Sequence, residues 1–124
     1  MPPKLILIIE DDFRIAGLVA EVLDEAGYAT HLVPDMNAAR AFQAGGGAPH
    51  GIISDLVVED GIEPALLVDA LAAIFPGVPV TLMTGVPPNR RAYLGVSHDR
   101  VLEKPFELSA LLGSVSAMVG APTP

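Results

Sequence analysis

The sequence predicts a single α/β domain, with a three-layer, doubly wound fold in which helices cover both faces of a five-stranded parallel sheet. Five short apolar runs start near positions 4, 28, 51, 78 and 100, and helical patterns separate them. Hydrophobic residues make up 51% of the 124 positions, which is enough to build one core. Strands that alternate with helices favour right-handed crossovers and a parallel sheet. The spacing of the runs leaves the order of the strands open.

The first strand and helix have the clearest sequence signals. Leu5–Ile9 is apolar throughout, as expected for a strand that is buried on both faces. The following helix is predicted to start after Asp12, which caps it, and to end at Gly27. Its inner face is predicted from apolar residues at helical spacing, namely Ile15, Leu18, Val19, Val22, Leu23 and Ala26.

The remaining elements are assigned by the same rules. The predicted strands are Tyr28–Val33, Gly51–Ser54, Val78–Met83 and Val101–Leu102. The predicted helices run from Pro34-Asp35 to Gly45-Gly46-Gly47, from Pro64 to Pro76-Gly77, from Pro87 to Leu94, and over Leu108, Leu111, Leu112, Val115 and Val119. We expect one domain over residues 1–124, with a core of about 4–119 and a frayed, proline-containing tail.

Composition excludes several classes of function. The net charge is −8, with only seven Lys and Arg residues, which argues against direct binding of nucleic acid or of an anionic membrane. The chain has no cysteine, so disulfides, thiolate metal sites and cysteine nucleophiles are excluded. No apolar stretch is long enough to cross a bilayer. We therefore expect a cytoplasmic protein.

Polar residues follow four of the five predicted strands. The first strand is followed by Glu10-Asp11-Asp12, the third by Asp55, the fourth by Thr84 and the fifth by Lys104. Each has an ordinary explanation when taken singly: a helix cap, the start of a turn or a solvated surface residue. Ligands of open α/β sheets bind outside the carboxyl ends of the strands, however, and all of these residues fall on that edge. Their joint occurrence predicts a functional site.

The residue types indicate the chemistry of that site. Several carboxylates within a few ångströms do not all stay ionised without a cation, because like charges raise each other's pKa. Lys104 supplies one positive charge, and Mg²⁺, which prefers oxygen ligands, would supply more. A carboxylate beside Mg²⁺ can accept a phosphoryl group, while Lys104 and the Thr84 hydroxyl contact its oxygens.

These residues match a known pattern, and the chain resembles the receiver domain of two-component response regulators, in the stand-alone, CheY-like form. Four motifs carry the resemblance, in order and at family-like spacing: Leu7-Ile8-Ile9-Glu10-Asp11-Asp12, Ile52-Ile53-Ser54-Asp55, Leu82-Met83-Thr84-Gly85 and Glu103-Lys104-Pro105-Phe106. The resemblance extends from Lys4 to about Val119. It implies a flavodoxin-like sheet with the strand order 2-1-3-4-5.

The resemblance also implies a role for each site residue. Asp55 would be the phosphoacceptor, Thr84 and Lys104 would contact the phosphoryl group, and the Lys104–Pro105 peptide would be cis. The implied Mg²⁺ ligands are Asp11 and Asp55 directly, Glu10 through water, and the backbone carbonyl of Val57. Asp12 would cap the first helix. The donor would be a histidine kinase or a histidine phosphotransfer protein, and an unknown downstream protein would read the phosphorylated state.

Three features depart from the family pattern. The loop after Asp55, Leu56-Val57-Val58-Glu59-Asp60-Gly61, lacks the usual proline and reaches its glycine two residues early. Val101 occupies a position that is often an aromatic switch residue, and the Pro87–Arg91 region is short and contains two prolines. These departures leave a pseudo-receiver open, which would signal without phosphate. A Mg²⁺-dependent phosphatase is the enzyme alternative, but it would need an acid where Val57 stands.

Overall fold

The computed structural model describes residues 2–56, 66–85 and 100–123. Five strands and four helices lie in these ranges, and they alternate along the chain except between the last two strands. In order they are β1 (Leu5–Ile9), α1 (Phe13–Glu25), β2 (Ala29–Val33), α2 (Met36–Ala44), β3 (Gly51–Asp55), α3 (Leu67–Ile74), β4 (Val80–Thr84), β5 (Val101–Glu103) and α4 (Leu108–Val119). The helix predicted from Pro87 to Leu94 falls outside the described residues, as do Pro64, Val57 and Pro124.

The five strands form one parallel sheet in the order β2-β1-β3-β4-β5. This confirms the doubly wound α/β fold that the apolar runs predict and the order that the resemblance implies. The chain steps outward from β1 to β2 and then returns past β1 to β3. The resulting switch point lies between β1 and β3, where open α/β sheets bind their ligands.

The continuous apolar run of β1 is explained by burial on both of its faces. Ile6 and Ile8 pack into a core cluster with α1 and α4, whereas Leu7 and Ile9 pack into a second cluster with α2 and α3. All four side chains are fully buried. Removing one such side chain from water stabilises the fold by about 1.5–3 kcal/mol. Hydrophobic burial on both sides therefore holds the end of β1, and the acids that follow it, in a fixed place.

Aspartates cap the first two helices. The Asp12 carboxylate accepts a hydrogen bond from the backbone N–H of Arg14 at 3.0 Å, at the start of α1. Asp35 does the same for the N–H of Ala38 at 2.8 Å, at the start of α2. The predicted role of Asp12 as a helix cap is thus confirmed. Gly27 follows the end of α1 with a φ of 104°, a conformation that favours glycine.

Two strands begin later than the sequence-based prediction, and three end one residue later, at Asp55, Thr84 and Glu103. Tyr28 lies outside β2, because its N–H donates to the Leu23 carbonyl at the end of α1. β4 begins at Val80 instead of Val78, since Val78 N–H bonds back to the Phe75 carbonyl in the preceding turn. Both residues satisfy their N–H groups locally, which the apolar pattern does not reveal.

The chain after α4 contacts the start of β1. The Lys4 N–H donates to the Pro122 carbonyl at 2.7 Å, and the Tyr28 hydroxyl donates to the Gly120 carbonyl at 2.8 Å. The fraying of the tail stays a prediction. None of the helices in the described ranges has the length and apolarity of a membrane span.

Candidate functional site

Three neighbouring strands deliver acidic, hydroxyl and basic side chains to one edge of the sheet. Ile9 of β1 lies beside Ser54 of β3, so Glu10 and Asp55 emerge at adjacent strand ends. Asp55 pairs with Met83 of β4, one residue before Thr84. Each strand end leaves its side chains on the same edge because all strands run in one direction. The grouping predicted from the strand ends is therefore present.

Lys104 links two of the carboxylates. Its Nζ donates to Glu10 Oε2 at 3.0 Å and to Asp55 Oδ1 at 3.1 Å. The Lys104 side chain is 23% exposed, whereas those of Asp55 and Glu10 are 15% and 2% exposed. An ion pair that is so withdrawn from water is screened less than a surface pair. The single ammonium group therefore bonds to both acids but balances the charge of only one of them.

A third carboxylate completes an acidic group at this edge. Glu10, Asp11 and Asp55 each offer an oxygen, and these oxygens all lie within 4.8 Å of one another. Glu10 is buried, Asp55 is half-buried and Asp11 is exposed. Three ionised carboxylates and one ammonium carry a net charge of −2. A cation entering from the Asp11 side would relieve that excess.

The pKa values follow from burial and from this charge imbalance. Burial raises the pKa of the Asp55 carboxyl, the Lys104 ammonium opposes the rise, and the Asp11 charge adds to it. Burial also raises the pKa of Glu10, against hydrogen bonds from Lys104 and from the Asp12 N–H. Burial lowers the pKa of Lys104, but Glu10 and Asp55 outweigh it, so the pKa lies above the ordinary value. Lys104 stays charged at neutral pH.

The donor atoms fit a hard divalent cation. All three are carboxylate oxygens, which are the protein ligands that Mg²⁺ takes, usually one or two at a time with water molecules. Asp12 is absent from the group because its carboxylate bonds to the Arg14 N–H and lies 3.4 Å from the Arg14 guanidinium. The three consecutive acids thus have different surroundings.

Thr84 lies beside Lys104 in the backbone ladder. Its carbonyl accepts the Lys104 N–H at 2.7 Å, and the residue is 1% exposed. The Lys104–Pro105 peptide is cis, as the resemblance implies. Val57, the predicted backbone ligand of the metal, lies outside the described residues. The structure therefore brings Glu10, Asp11, Asp55 and Lys104 together and places Thr84 next to them.

Sequence reasoning missed two features of this edge. The Asp12 N–H donates to Glu10 Oε1 at 3.1 Å, a local bond between an acid and the residue two positions later. In addition, a cavity of about 360 Å³ adjoins Lys104. Its lining is mainly apolar and comprises Ile15, Leu18, Lys104, Pro105 and Phe106. The acid trio could have suggested the first feature, but the second depends on the packing of two distant segments.

Comparison with known proteins identifies the fold. No family model matches the chain. The nitrogen assimilation regulatory protein NtrX of Azorhizobium caulinodans is 30% identical over 113 residues, which cover 86% of this chain and 24% of that protein. A response regulator receiver protein from Sinorhizobium medicae has 24% identity and a TM-score of 0.79, with 96% of each chain covered. The chain has the fold of a response regulator receiver domain.

Another receiver-fold structure is informative for its ligands. It is a response regulator from Burkholderia pseudomallei, solved with a phosphorylated aspartic acid, a calcium ion and citrate. It is 25% identical to this chain with a TM-score of 0.74, and the match covers 90% of this chain and 65% of that one. The predicted resemblance to receiver domains is thus confirmed. Since the chain spans about a quarter of the length of NtrX (24%), the stand-alone form stays a prediction.

Proposed function

We propose that this receiver domain accepts a phosphoryl group on Asp55 in a two-component, His-to-Asp relay that depends on Mg²⁺. One observation carries the proposal: the Lys104 ammonium lies 3.1 Å from Asp55 Oδ1 at the carboxyl edge of the sheet, with Glu10 and Asp11 alongside. This arrangement sets a partly exposed carboxylate beside a fixed positive charge. A nucleophile attacking a phosphoryl group needs such a combination of a carboxylate and a nearby positive charge.

The transfer would proceed in one displacement. An Asp55 carboxylate oxygen attacks the phosphorus of a phosphohistidine, and a new O–P bond forms as the P–N bond breaks. The imidazole leaves with the electron pair of that bond, and the product is an aspartyl phosphate. Lys104 would move from the carboxylate to the phosphoryl oxygens, where its charge stabilises the transition state. The Thr84 hydroxyl would donate to another of these oxygens.

The acidic group would hold the metal. Asp11 and Asp55 would bind Mg²⁺ directly and Glu10 through water, with the Val57 carbonyl as a further ligand by resemblance. When bound, Mg²⁺ supplies positive charge that offsets the negative charge of the phosphoryl oxygens. The Burkholderia pseudomallei structure supports this part, because that response regulator was solved with both a phosphorylated aspartic acid and a calcium ion.

The partners follow from the chemistry. A histidine kinase or a histidine phosphotransfer protein would be the donor, and a downstream protein of unknown identity would recognise the phosphorylated domain. We expect no direct contact with nucleic acid or with a membrane, since the net charge of −8 would repel both.

Intact-mass measurement tests the proposal. The protein is incubated with acetyl phosphate and Mg²⁺, and we expect the mass to increase by one phosphoryl group. Asp55→Asn is the matched control, because the amide keeps the shape of the side chain but does not attack phosphorus. The proposal fails if the wild-type protein shows no adduct, or if the adduct persists in the Asp55→Asn variant.

A pseudo-receiver is the alternative that one observation favours. Val101 is a half-buried aliphatic residue packed against the core, where the family often has a rotating aromatic ring. A domain without that ring could bind its partner regardless of phosphate. The mass measurement separates the two functions, since a pseudo-receiver gives no Asp55 adduct. Steady release of phosphate from an external monoester would instead identify a phosphatase.

A further inference from the structure

We infer that Ser54 is a positioning residue, which fixes the main chain of the proposed phosphoacceptor, Asp55, through a hydrogen bond from a buried hydroxyl. The inference rests on the proposed function of Asp55 and names a residue outside the acidic group on which that function depends. It starts from a hydroxyl at a position of β3 where burial on both faces of the sheet favours an apolar side chain.

Ser54 lies in the interior of the molecule although its side chain is polar. The residue is 0% exposed. Alternation along β3 turns it to the same face as Ile52, which packs in the core cluster with α2 and α3. A hydroxyl that is withdrawn from water destabilises the fold unless it forms a hydrogen bond. Ser54 Oγ forms such a bond, because it donates to the Asp55 carbonyl at 2.9 Å.

The Asp55 carbonyl lies at the point where β3 extends beyond β1. The paired register of these two strands ends with Ile9 and Ser54, one residue before Asp55. On the other side, the Leu56 N–H donates to the Met83 carbonyl of β4 at 2.8 Å. The C=O and N–H of a trans peptide point in opposite directions, so the Asp55 carbonyl points away from β4. The Ser54 hydroxyl thus bonds to this carbonyl on the side where the pairing with β1 has ended.

The peptide that joins Asp55 to Leu56 is therefore held at both ends. The Ser54 hydroxyl holds its carbonyl, and the Met83 carbonyl holds its N–H. A peptide plane that does not rotate fixes the ψ angle of Asp55 and the position of the Cα atom that carries its side chain.

The position of this Cα atom matters for the chemistry of the carboxylate. Asp55 Oδ1 lies 3.1 Å from Lys104 Nζ, and a tilt of the backbone would change that distance. A displacement of about 1 Å at a reacting group can lower a rate about 100-fold. The Ser54 hydroxyl would thus act on phosphoryl transfer through the Asp55 backbone, without touching the phosphoryl group.

The variant Ser54→Ala tests this role, because it removes the hydroxyl and keeps a small side chain. We expect the rate of phosphorylation by acetyl phosphate at saturating Mg²⁺ to fall by about tenfold. Ser54→Thr keeps the hydroxyl, so its rate should stay within about threefold of that of the wild type. If the rate of Ser54→Ala equals that of the wild type, the positioning role is overturned.

Thr81→Val is the matched control, since Thr81 carries another fully buried hydroxyl in the same sheet. Its Oγ1 donates to Met118 Sδ at 3.3 Å, and it pairs with Ile53, two residues before Asp55. We expect the phosphorylation rate of Thr81→Val to stay within about twofold of that of the wild type, because the two sites share no partner. A loss as large as in Ser54→Ala would indicate a general effect of core hydroxyls and overturn the positioning role.

Nuclear magnetic resonance of the metal-free protein tests the hydrogen bond without any phosphorylation. An HNCO spectrum correlates the Leu56 N–H with the Asp55 carbonyl carbon, which resonates further upfield when its oxygen loses a hydrogen bond. We expect an upfield shift of this resonance in Ser54→Ala, and a position close to that of the wild type in Ser54→Thr and Thr81→Val. An unshifted resonance in Ser54→Ala contradicts the inference.

The two measurements together separate this inference from the proposed function. If Ser54→Thr keeps the wild-type resonance but is phosphorylated as slowly as Ser54→Ala, the hydrogen bond does not set the rate and the positioning role is overturned. If the resonance shifts in Ser54→Ala but acetyl phosphate does not modify the wild-type protein, the hold of Ser54 on the Asp55 backbone is upheld and the proposed function is overturned.

Discussion

The carboxylates around Lys104 carry more negative charge than its single ammonium group balances. This excess determines how the site responds to a cation and to substitution. Glu10 and Asp55 both bond to Lys104, and Asp11 lies within reach of both acids. Burial makes the charged forms of Asp55 and Glu10 costly, and one ammonium offsets only part of that cost. The metal-free site is therefore strained electrostatically, and a cation or a neutral substitution should relieve it.

Asp55→Asn should stabilise the metal-free protein at neutral pH. Because the pKa of Asp55 is raised by folding, its contribution to stability is full below the ordinary value of 3.8 and is lost as the pH rises through the folded value. The asparagine does not titrate. We expect its unfolding midpoint to exceed that of the wild type by a few degrees at about pH 7, where 1 kcal/mol corresponds to roughly 4 °C.

Thermal unfolding with a chelator, at about pH 7 and about pH 4, measures this difference. The difference in unfolding midpoint between Asp55→Asn and the wild type should shrink toward the lower pH. The reason is that the wild-type carboxyl then increasingly binds a proton in the folded and in the unfolded state alike. Asp35→Asn is a control at a helix cap that lies outside the acidic group. A gain that grows as the pH falls would contradict the direction of the Asp55 pKa shift.

At the scale of elements, the three consecutive acids before α1 have the same charge but different positions. Glu10 is buried directly after β1, Asp11 faces solvent beside Asp55, and Asp12 caps the helix. The divergence follows from the transition from strand to helix, because successive side chains turn in different directions there. One short segment thereby serves both the stability of α1 and the acidic site.

Substitution of Asp11 and of Asp12 should separate these two roles. Asp12→Ala removes the capping bond to the Arg14 N–H, and we expect a loss of about 1 kcal/mol in the free energy of unfolding with little change in Mg²⁺ affinity. Asp11→Ala should leave the capping bond intact and lower Mg²⁺ affinity by about tenfold or more. Urea unfolding and calorimetry measure the two quantities.

Asp35→Ala is the matched control for this pair. It removes the equivalent cap of α2, so it should cost a similar free energy and leave Mg²⁺ binding unchanged. If Asp12→Ala lowers Mg²⁺ affinity more than Asp11→Ala does, the assignment of the two acids must be exchanged.

At the scale of the whole molecule, the site exists only in the folded chain. Lys104 is 94 positions from Glu10 and 49 from Asp55, and the parallel sheet brings all three to one edge. An unfolded chain offers these carboxylates singly, so a divalent cation should bind the folded state far better. Metal binding and folding are then linked.

Mg²⁺ should therefore raise the stability of the whole domain. At a free concentration of 100 times the dissociation constant, the expected gain is about 2.7 kcal/mol in the free energy of unfolding. Urea unfolding with Mg²⁺ and with chelator measures it. The gain should persist in Asp12→Ala and fall to about 1.4 kcal/mol or less in Asp11→Ala at the same Mg²⁺ concentration, because an affinity lowered tenfold leaves Mg²⁺ at only about 10 times the dissociation constant. Equal gains in both variants would place the cation elsewhere.

The sequence alone determined the features that depend on local patterns. The apolar run of β1 indicated burial on both faces, and Asp12 and Asp35 marked the starts of two helices. The polar residues after the strands indicated one functional edge, since parallel strands place their carboxyl ends together. Such signals suffice because burial and capping act within a few residues along the chain.

Only the tertiary structure decided which of these groups touch. The order of the strands, the bonds from Lys104 to Glu10 and Asp55, and the second contact of Glu10 with the Asp12 N–H have no signature in spacing. The family resemblance anticipated the order, but spacing left it open. The physical reason is that these contacts join residues far apart in the sequence. They depend on how the whole sheet packs between its two helical layers, and every segment of the core contributes to that packing.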